Sequence, residues 1–305
     1  MSPRIVFLGT PDFAVASLKA LVEHNFNVVA VVTAPDKPAG RGMQLKMSAV
    51  KEYALSQDLP VLQPEKLKDP GFIETLRSYN ADLQIVVAFR MLPEIVWNMP
   101  PMGTLNVHGS LLPKYRGAAP INWAIINGET ETGVTTFRLK HEIDTGDILL
   151  QQSVAILPED NIGSVYEKLM HEGAQLLIKT VNGLIENTIH DRPQDEMETA
   201  THAPKIFKET CRINWDAPVE QIHNLIRGLS PIPTAFTTLK EKQLKVFKSS
   251  FEHIELFQEV PGTVATDGKT YLKFAGRDGW LHCIEVQYEG KKRMPVTDFL
   301  RGFRL

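Results

Sequence analysis

Within its first 33 residues the chain reads strand, helix, strand, and that order constrains the fold more than any other feature. Arg4 to Leu8 is a short apolar run. Gly9-Thr-Pro-Asp-Phe13 then turns into a helical pattern, with apolar Phe13, Ala16, Leu18, Ala20, Leu21 and Val22 and with Asp12 placed to cap it. Asn27 to Thr33 is a second strand, rich in β-branched residues. A strand–helix–strand unit of this size pairs its strands in parallel, because the helix returns the chain to the starting edge of the sheet. Leu83-Gln-Ile-Val-Val-Ala-Phe89 fits the same sheet as a nearly continuous apolar strand, covered on both faces. Only Gly9 of a GxGxxG turn is present, so a dinucleotide site is poorly supported despite the Rossmann-like order.

Further elements follow from pattern. Helices are expected over Ser48 to Gln57, with Ser48 as cap, over Gly71 to Tyr79, Pro93 to Trp97 and Ile121 to Ile126, and over Ile162 to Glu186 as a long amphipathic element. Strands are expected over Leu59 to Leu62, Gly133 to Leu139 and Ile148 to Ile156. Between them, Ala34-Pro-Asp-Lys-Pro-Ala-Gly-Arg-Gly42 reads as a long exposed loop made basic by Lys37, Arg41 and Lys46. A solvated flap and a functional loop are both open readings of it. His190 to His202 is polar and without apolar periodicity, and reads as a linker. After the helix Pro218 to Gly228 come short β-like runs, Leu244 to Phe247, Gly262 to Ala265, Tyr271 to Phe274 and Trp280 to Val286. Turns at Pro261-Gly262, Asp267-Gly268 and Asp278-Gly279 separate several of them, as in a small barrel. The expected class is α/β: a Rossmann-like, mostly parallel sheet domain over residues 1–188, a linker over 189–207 and a small β-barrel over 208–305.

Charge distinguishes the two parts. Ile206 to Leu305 holds 15 Lys+Arg against 12 Asp+Glu, while the preceding residues hold 18 against 24. A basic small domain beside an acidic large one points to an anionic partner, although three charges are few. The start, MSPRIVFLG, lacks a secretory signal, and no apolar run approaches the roughly 20 residues of a membrane helix. The 2 cysteines, Cys211 and Cys283, have no metal-ligand spacing, so a cytoplasmic protein without a metal is expected.

Chemistry concentrates in Thr104-Leu-Asn-Val-His-Gly-Ser-Leu-Leu-Pro-Lys-Tyr-Arg-Gly-Ala-Ala-Pro120 and Asp144-Thr-Gly-Asp147. Asn106 and His108 stand at i and i+2 of a strand, so they project from one face just before a Gly/Pro loop. An amide can donate to an oxygen that becomes negative, an imidazole can move protons near neutrality, and a carboxylate such as Asp144 can orient it. No nucleophile elbow is present, so the set suits direct acyl transfer to an amine. Each residue also has a structural alternative: a satisfied polar strand end for Asn106 and His108, an ordinary turn for Asp144.

Asn106-Val-His108, Ser110-Leu-Leu-Pro-Lys-Tyr-Arg-Gly117 and Asp144-Thr-Gly146, in that order and spacing, resemble the signature of the formyltransferases that use 10-formyltetrahydrofolate. Phe7-Leu-Gly-Thr-Pro-Asp-Phe13, Pro35-Asp-Lys-Pro-Ala-Gly-Arg-Gly42 and Ile222-His-Asn-Leu-Ile-Arg227 extend the likeness to the methionyl-tRNA formyltransferases of that family. The resemblance implies formylation of the α-amine of initiator methionyl-tRNA. Asn106 would bond the formyl oxygen and the oxyanion formed on attack, His108 would stabilise the same charge, and Asp144 would hold His108 and take the amine proton through a water. Ser110, Leu111, Leu112 and Pro113 would contact the folate, with Ile85 and Phe89 as pterin walls or as core. Lys37, Arg41 and Lys46 would meet the tRNA acceptor stem, and Lys205 and Lys208 would continue a phosphate track toward a C-terminal domain that resembles an oligonucleotide-binding (OB) fold. A monomer is expected.

Two rivals remain. A formyltransferase for a small amine, such as an amino-sugar nucleotide or glycinamide ribonucleotide, needs neither the basic loop nor the basic C-terminal domain. A non-catalytic tRNA-binding protein has no use for an intact Asn106, His108 and Asp144.

Overall fold

A computed structural model describes residues 2–39, 44–194 and 200–303. It divides into two compact units, one of Met1–Arg116, Gly133–Val154 and Tyr166–His202, the other of Gly117–Thr132, Ala155–Val165 and Ala203–Leu305.

The first unit is built on a seven-stranded sheet, in the order Ile148–Ala155, Glu131–Arg138, Thr104–His108, Leu83–Val87, Arg4–Gly9, Asn27–Val32 and Val61–Leu62. The run from Thr104–His108 to Val61–Leu62 is parallel, and Glu131–Arg138 joins Thr104–His108 antiparallel. The sheet is therefore mostly parallel, as the apolar runs imply. Ile5, Val6, Phe7, Leu8, Leu83, Ile85 and Val87 are all 0% exposed, the condition of strands covered on both faces. The helix Asp12–Glu23 begins one residue earlier than a capping Asp12 would require, so Asp12 is not the cap. Pro11 is its N-cap, and Asp12 places its charge in the first turn, where the helix dipole favours it. Ser48 does cap Ala49–Ser56, its Oγ accepting from the Lys51 N–H at 3.1 Å. Gly9 is forced by packing: a Cβ there would lie 2.6 Å from that of Ala14.

Strand order sets the location of any site. From the central Arg4–Gly9 the chain moves first to Asn27–Val32 on one side and later to Leu83–Val87 on the other. Crossovers leaving in opposite directions open a crevice at the carboxyl ends of the strands. Ala88 and Phe89 follow Val87 there, and His108 ends the next strand.

The basic segment is not a structureless loop. Lys37–Ala39 and Gln44–Lys46 pair antiparallel, with Lys37 opposite Lys46. The hairpin is moored by Asp36, which bonds Lys51 at 2.6 Å and accepts from Gln63 at 2.8 Å.

The second unit carries an antiparallel sheet in the order Ala235–Leu239, Lys242–His253, Gly279–Tyr288, Leu272–Ala275 and Val264–Thr266, with Met294–Pro295 also on Gly279–Tyr288. It is a curled half-barrel, the form taken by the expected small barrel. The helix Val219–Leu229 covers it, burying Ile222, Ile226 and Leu229 with Val246, Phe274 and Leu281. Pro120–Ile126 belongs to this unit too: Asn122 Nδ2 donates to the Gly228 carbonyl at 2.8 Å. Both cysteines are buried free thiols, and burial pushes that of Cys283 up to about 12.

Candidate active site

The strand Thr104–His108 positions two of the three expected groups. Asn106 is half-buried and pairs with Val86 on one side and Phe137 on the other; His108 is buried and lies opposite Thr135. Their common projection follows from the two-residue repeat of a strand. Asp144 arrives from the turn after Arg138 and is buried at 8% exposure. Its Oδ2 lies 3.8 Å from His108 Nδ1. The structure thus brings Asn106, His108 and Asp144 to one strand end.

The other ring nitrogen settles the tautomer. His108 Nε2 lies 2.9 Å from the Tyr115 carbonyl oxygen, which can only accept, so Nε2 carries a proton. Nδ1 is the atom left to exchange one, and it faces the carboxylate. At 3.8 Å that contact is an ion pair only when the ring is charged, and it is loose enough for a proton or a small group to pass. Phe137 meets the ring edge-on at 6.4 Å and restricts its tilt.

Two non-glycine residues hold left-handed backbone here, Tyr115 at φ 60° and Asp144 at φ 55°, and exposed Ala88 at φ 46° follows Val87. Each costs about 1 kcal/mol, a strain that persists where surrounding bonds impose it. Those bonds are visible. Tyr115 N–H donates to Thr201 Oγ1 at 2.7 Å and Arg116 N–H to the Thr201 carbonyl at 2.9 Å. Gln194 Nε2 donates to the carbonyls of Asp144 at 2.7 Å and Gly146 at 2.9 Å. Gly146 sits so tightly that a Cβ would lie 1.6 Å from the Arg138 carbonyl oxygen.

An amide donor, a histidine with one free nitrogen and a buried carboxylate, set on a crevice rim, suit addition of an amine to a carbonyl carbon. The sequence pattern described as formyl transferase matches residues 3–181, and that described as formyl transferase, C-terminal domain, matches 205–304. The chain belongs to the formyl transferase family. It is 54% identical over 310 residues to a methionyl-tRNA formyltransferase of Bacteroides fragilis, covering 99% of this chain and 95% of that one. Identity reaches 57% over 312 residues with the methionyl-tRNA formyltransferase of Phocaeicola vulgatus, at 99% and 96% coverage. Among solved structures, a sugar 3N-formyl transferase, determined in the presence of dTDP and 5-N-formyl-THF, shares the fold. Its TM-score is 0.70 at 21% identity, over 96% of this chain and 100% of that one.

Within this formyltransferase fold, the expected folate residues divide by environment. Leu111 is half-buried, whereas Ser110, Leu112 and Pro113 are buried. Ser110 Oγ donates to the Lys114 carbonyl at 2.6 Å. Leu112 donates its N–H to Thr135 Oγ1 at 3.1 Å and accepts at its carbonyl from Gln151 at 2.9 Å. Ile85 is fully buried in mid-strand, in the position of a core residue. Phe89 is half-buried with Arg90 over its ring, past the strand end and next to exposed Ala88. A flat heterocycle packs against such a partly exposed ring, so the rim residues fit a folate. Among the described residues no group of three or more His, Cys, Asp or Glu is placed to hold a metal ion.

Of the expected tRNA contacts, Lys37 and Lys46 are exposed and face each other across the hairpin, beside exposed Leu45 and Met47. Arg41 lies outside the described residues. In the other unit Lys205 and Lys208 are exposed; Lys205 lies over the Phe207 ring at 5.8 Å, and Lys208 lines a cleft of about 290 Å³ with Phe207, Phe236 and Lys245. Gln194 and Thr201 touch the site although nothing in their sequence context singles them out, and Tyr115, although inside the signature, acts through its backbone. Tyr115 contributes a carbonyl, and the other two lie in a polar stretch without periodicity.

Proposed function

We propose that the protein transfers the formyl group of 10-formyltetrahydrofolate to the α-amine of initiator methionyl-tRNA. Family membership and relatives named for this reaction along nearly the whole chain support the assignment. The observation that carries the chemistry is the strand-end set of Asn106, His108 and Asp144, with His108 tethered through Nε2 and open at Nδ1. The folate supplies the formyl group. Asn106 Nδ2 donates to the oxygen that gains charge as the amine attacks. His108 Nδ1 carries a proton next to that charge, and Asp144 stabilises the charged ring and receives the amine proton through a water. The intermediate then collapses, the formyl C–N10 bond breaks, and N10 of the folate leaves with a proton returned from the His108–Asp144 pair. Leu111, Phe89 and the Ser110–Pro113 backbone form the folate's contact surface, with Ile85 behind it.

Residues 1–188 then act as the catalytic part, 208–305 as an OB-like tRNA-binding part and 189–207 as the connection. Lys37, Arg41 and Lys46 meet the acceptor stem, and Lys205 and Lys208 meet phosphates. The protein works as a cytoplasmic monomer; among the described residues no helix is long and apolar enough to cross a membrane.

The fold is shared with sugar formyltransferases, so the acceptor is the point to test. Purified protein is given 10-formyltetrahydrofolate with methionyl-tRNA, free methionine or an amino-sugar nucleotide. Formyl transfer to methionyl-tRNA alone is expected, and preferential formylation of the sugar would overturn the reading.

A further inference from the structure

Gln194 lies 50 residues from Asp144 in sequence, yet its side chain is buried beside it. All four hydrogen-bonding positions of its amide are used. Nε2 donates its two hydrogens to the carbonyls of Asp144 and Gly146, at 2.7 and 2.9 Å. Oε1 accepts from Arg116 Nη2 at 2.5 Å and Nε at 3.1 Å. The two carbonyls admit only a donor and the guanidinium admits only an acceptor, so the orientation of the amide is determined. One side chain therefore joins the turn that carries Asp144 to the end of the Ser110–Gly117 loop. The same strand of chain is fastened on either side. Arg192 pairs backbone to backbone with Ile148, Asp191 bonds Arg138 at 2.8 Å, and Thr201 holds Tyr115, whose carbonyl tethers His108.

We infer that Gln194 is a positioning residue for the reaction: it holds the left-handed turn at Asp144 so that the carboxylate faces His108 Nδ1. Through Arg116 it couples that turn to the loop expected to contact the folate. A carbonyl that loses its donor in a buried site swings toward another partner, and Asp144 moves with it. This inference rests on the reading of Asp144 as a group that serves formyl transfer.

The test uses the full chain. Gln194→Met keeps length and bulk but removes both halves of the clamp. Gln194→Glu keeps the acceptor for Arg116 and sets a second oxygen against the two carbonyls. Both are expected to lower kcat about 10-fold or more, the usual effect of removing an outer partner of a reacting group. KM for methionyl-tRNA should stay within about 2-fold, and the low-pH limb of the kcat profile should move, because the Asp144–His108 separation has changed. On an Asp144→Ala background, Gln194→Met should cause no further loss. A lowered melting temperature with intact kcat and pH profile would leave Gln194 a merely structural residue and overturn the inference; so would full activity of Gln194→Glu, or failure of both variants to fold. If Asp144→Ala itself is fully active, the site reading fails and takes the inference with it, an outcome distinguishable from silent Gln194 variants beside an inactive Asp144→Ala.

Discussion

Replacing Gly146 by alanine adds one methyl group where the turn after Asp144 crosses the end of Glu131–Arg138. The new carbon would lie 1.6 Å from the Arg138 carbonyl oxygen and 3.2 Å from Phe137 Cδ2, whereas ordinary contact begins at 3.4 Å. Gly146 does not occupy left-handed backbone, so alanine can adopt its conformation and the whole penalty is steric. Either the Arg138 peptide or the turn must retreat by nearly 2 Å. Arg138 is the more firmly held of the two: its side chain bonds Asp191 and the Met102 carbonyl, and its strand pairs with Thr104–His108. The turn should therefore move, and Asp144 is two residues from its centre. A misplacement of about 1 Å at a reacting group costs about 10²-fold in rate, or roughly 2.7 kcal/mol. Overpacking adds about 1–3 kcal/mol of lost stability. Steady-state kinetics with methionyl-tRNA, paired with thermal unfolding, should show kcat down at least 10²-fold in a protein that still folds. Wild-type kcat would refute the link between this close approach and the chemistry, whether or not the melting temperature falls.

Three further outcomes are expected. Asn106→Ala should cut kcat by about 10²–10³ while tRNA affinity, measured by filter binding, is unchanged, because only the charge-stabilising donor is lost; normal turnover would remove Asn106 from the mechanism. Lys37→Ala with Lys46→Ala should raise KM for methionyl-tRNA and flatten its salt dependence without altering KM for the folate, given that both ammonium groups stand exposed on the hairpin; an unchanged salt slope would rule out phosphate contacts there. Finally, burial and the nearby Arg227 charge push the His223 imidazole down from its ordinary 6.5 to about 4, while its Nδ1 bonds Ser249. Below pH 6.5 the unfolded chain takes up a proton that the folded one refuses, so stability is lost as pH falls from 6.5 toward 4. Urea midpoints over that range should decline less steeply for His223→Gln, and parallel curves would disprove the assignment.

How much of this was legible in the sequence varied with the range of the forces involved. The parallel sheet and the pairing of Asn106 with His108 follow from local periodicity. A continuous apolar run can satisfy itself only between two covering layers, and i and i+2 side chains share a face in any strand. The cap at Ser48 is equally local, its side-chain oxygen accepting from an N–H three residues on. The basic segment resisted such reading because Pro38 and the flanking glycines carry strong turn signals. Only backbone pairing of Lys37–Ala39 with Gln44–Lys46 makes it a hairpin.

Tertiary structure alone decided what the polar groups do to one another. Nothing local to His108 specifies which nitrogen is protonated; a carbonyl held in place by left-handed Tyr115 does. Gly146 and the Thr145–Glu142 bond favour a turn at Asp144 locally, but the two donors that hold the carbonyls of Asp144 and Gly146 come from an amide in a stretch without periodicity. Apolar patterning is written along the chain because burial acts on every residue of an element. A hydrogen bond between residues 50 positions apart leaves no such period, and it exists only once the sheet has brought both partners to the same strand end.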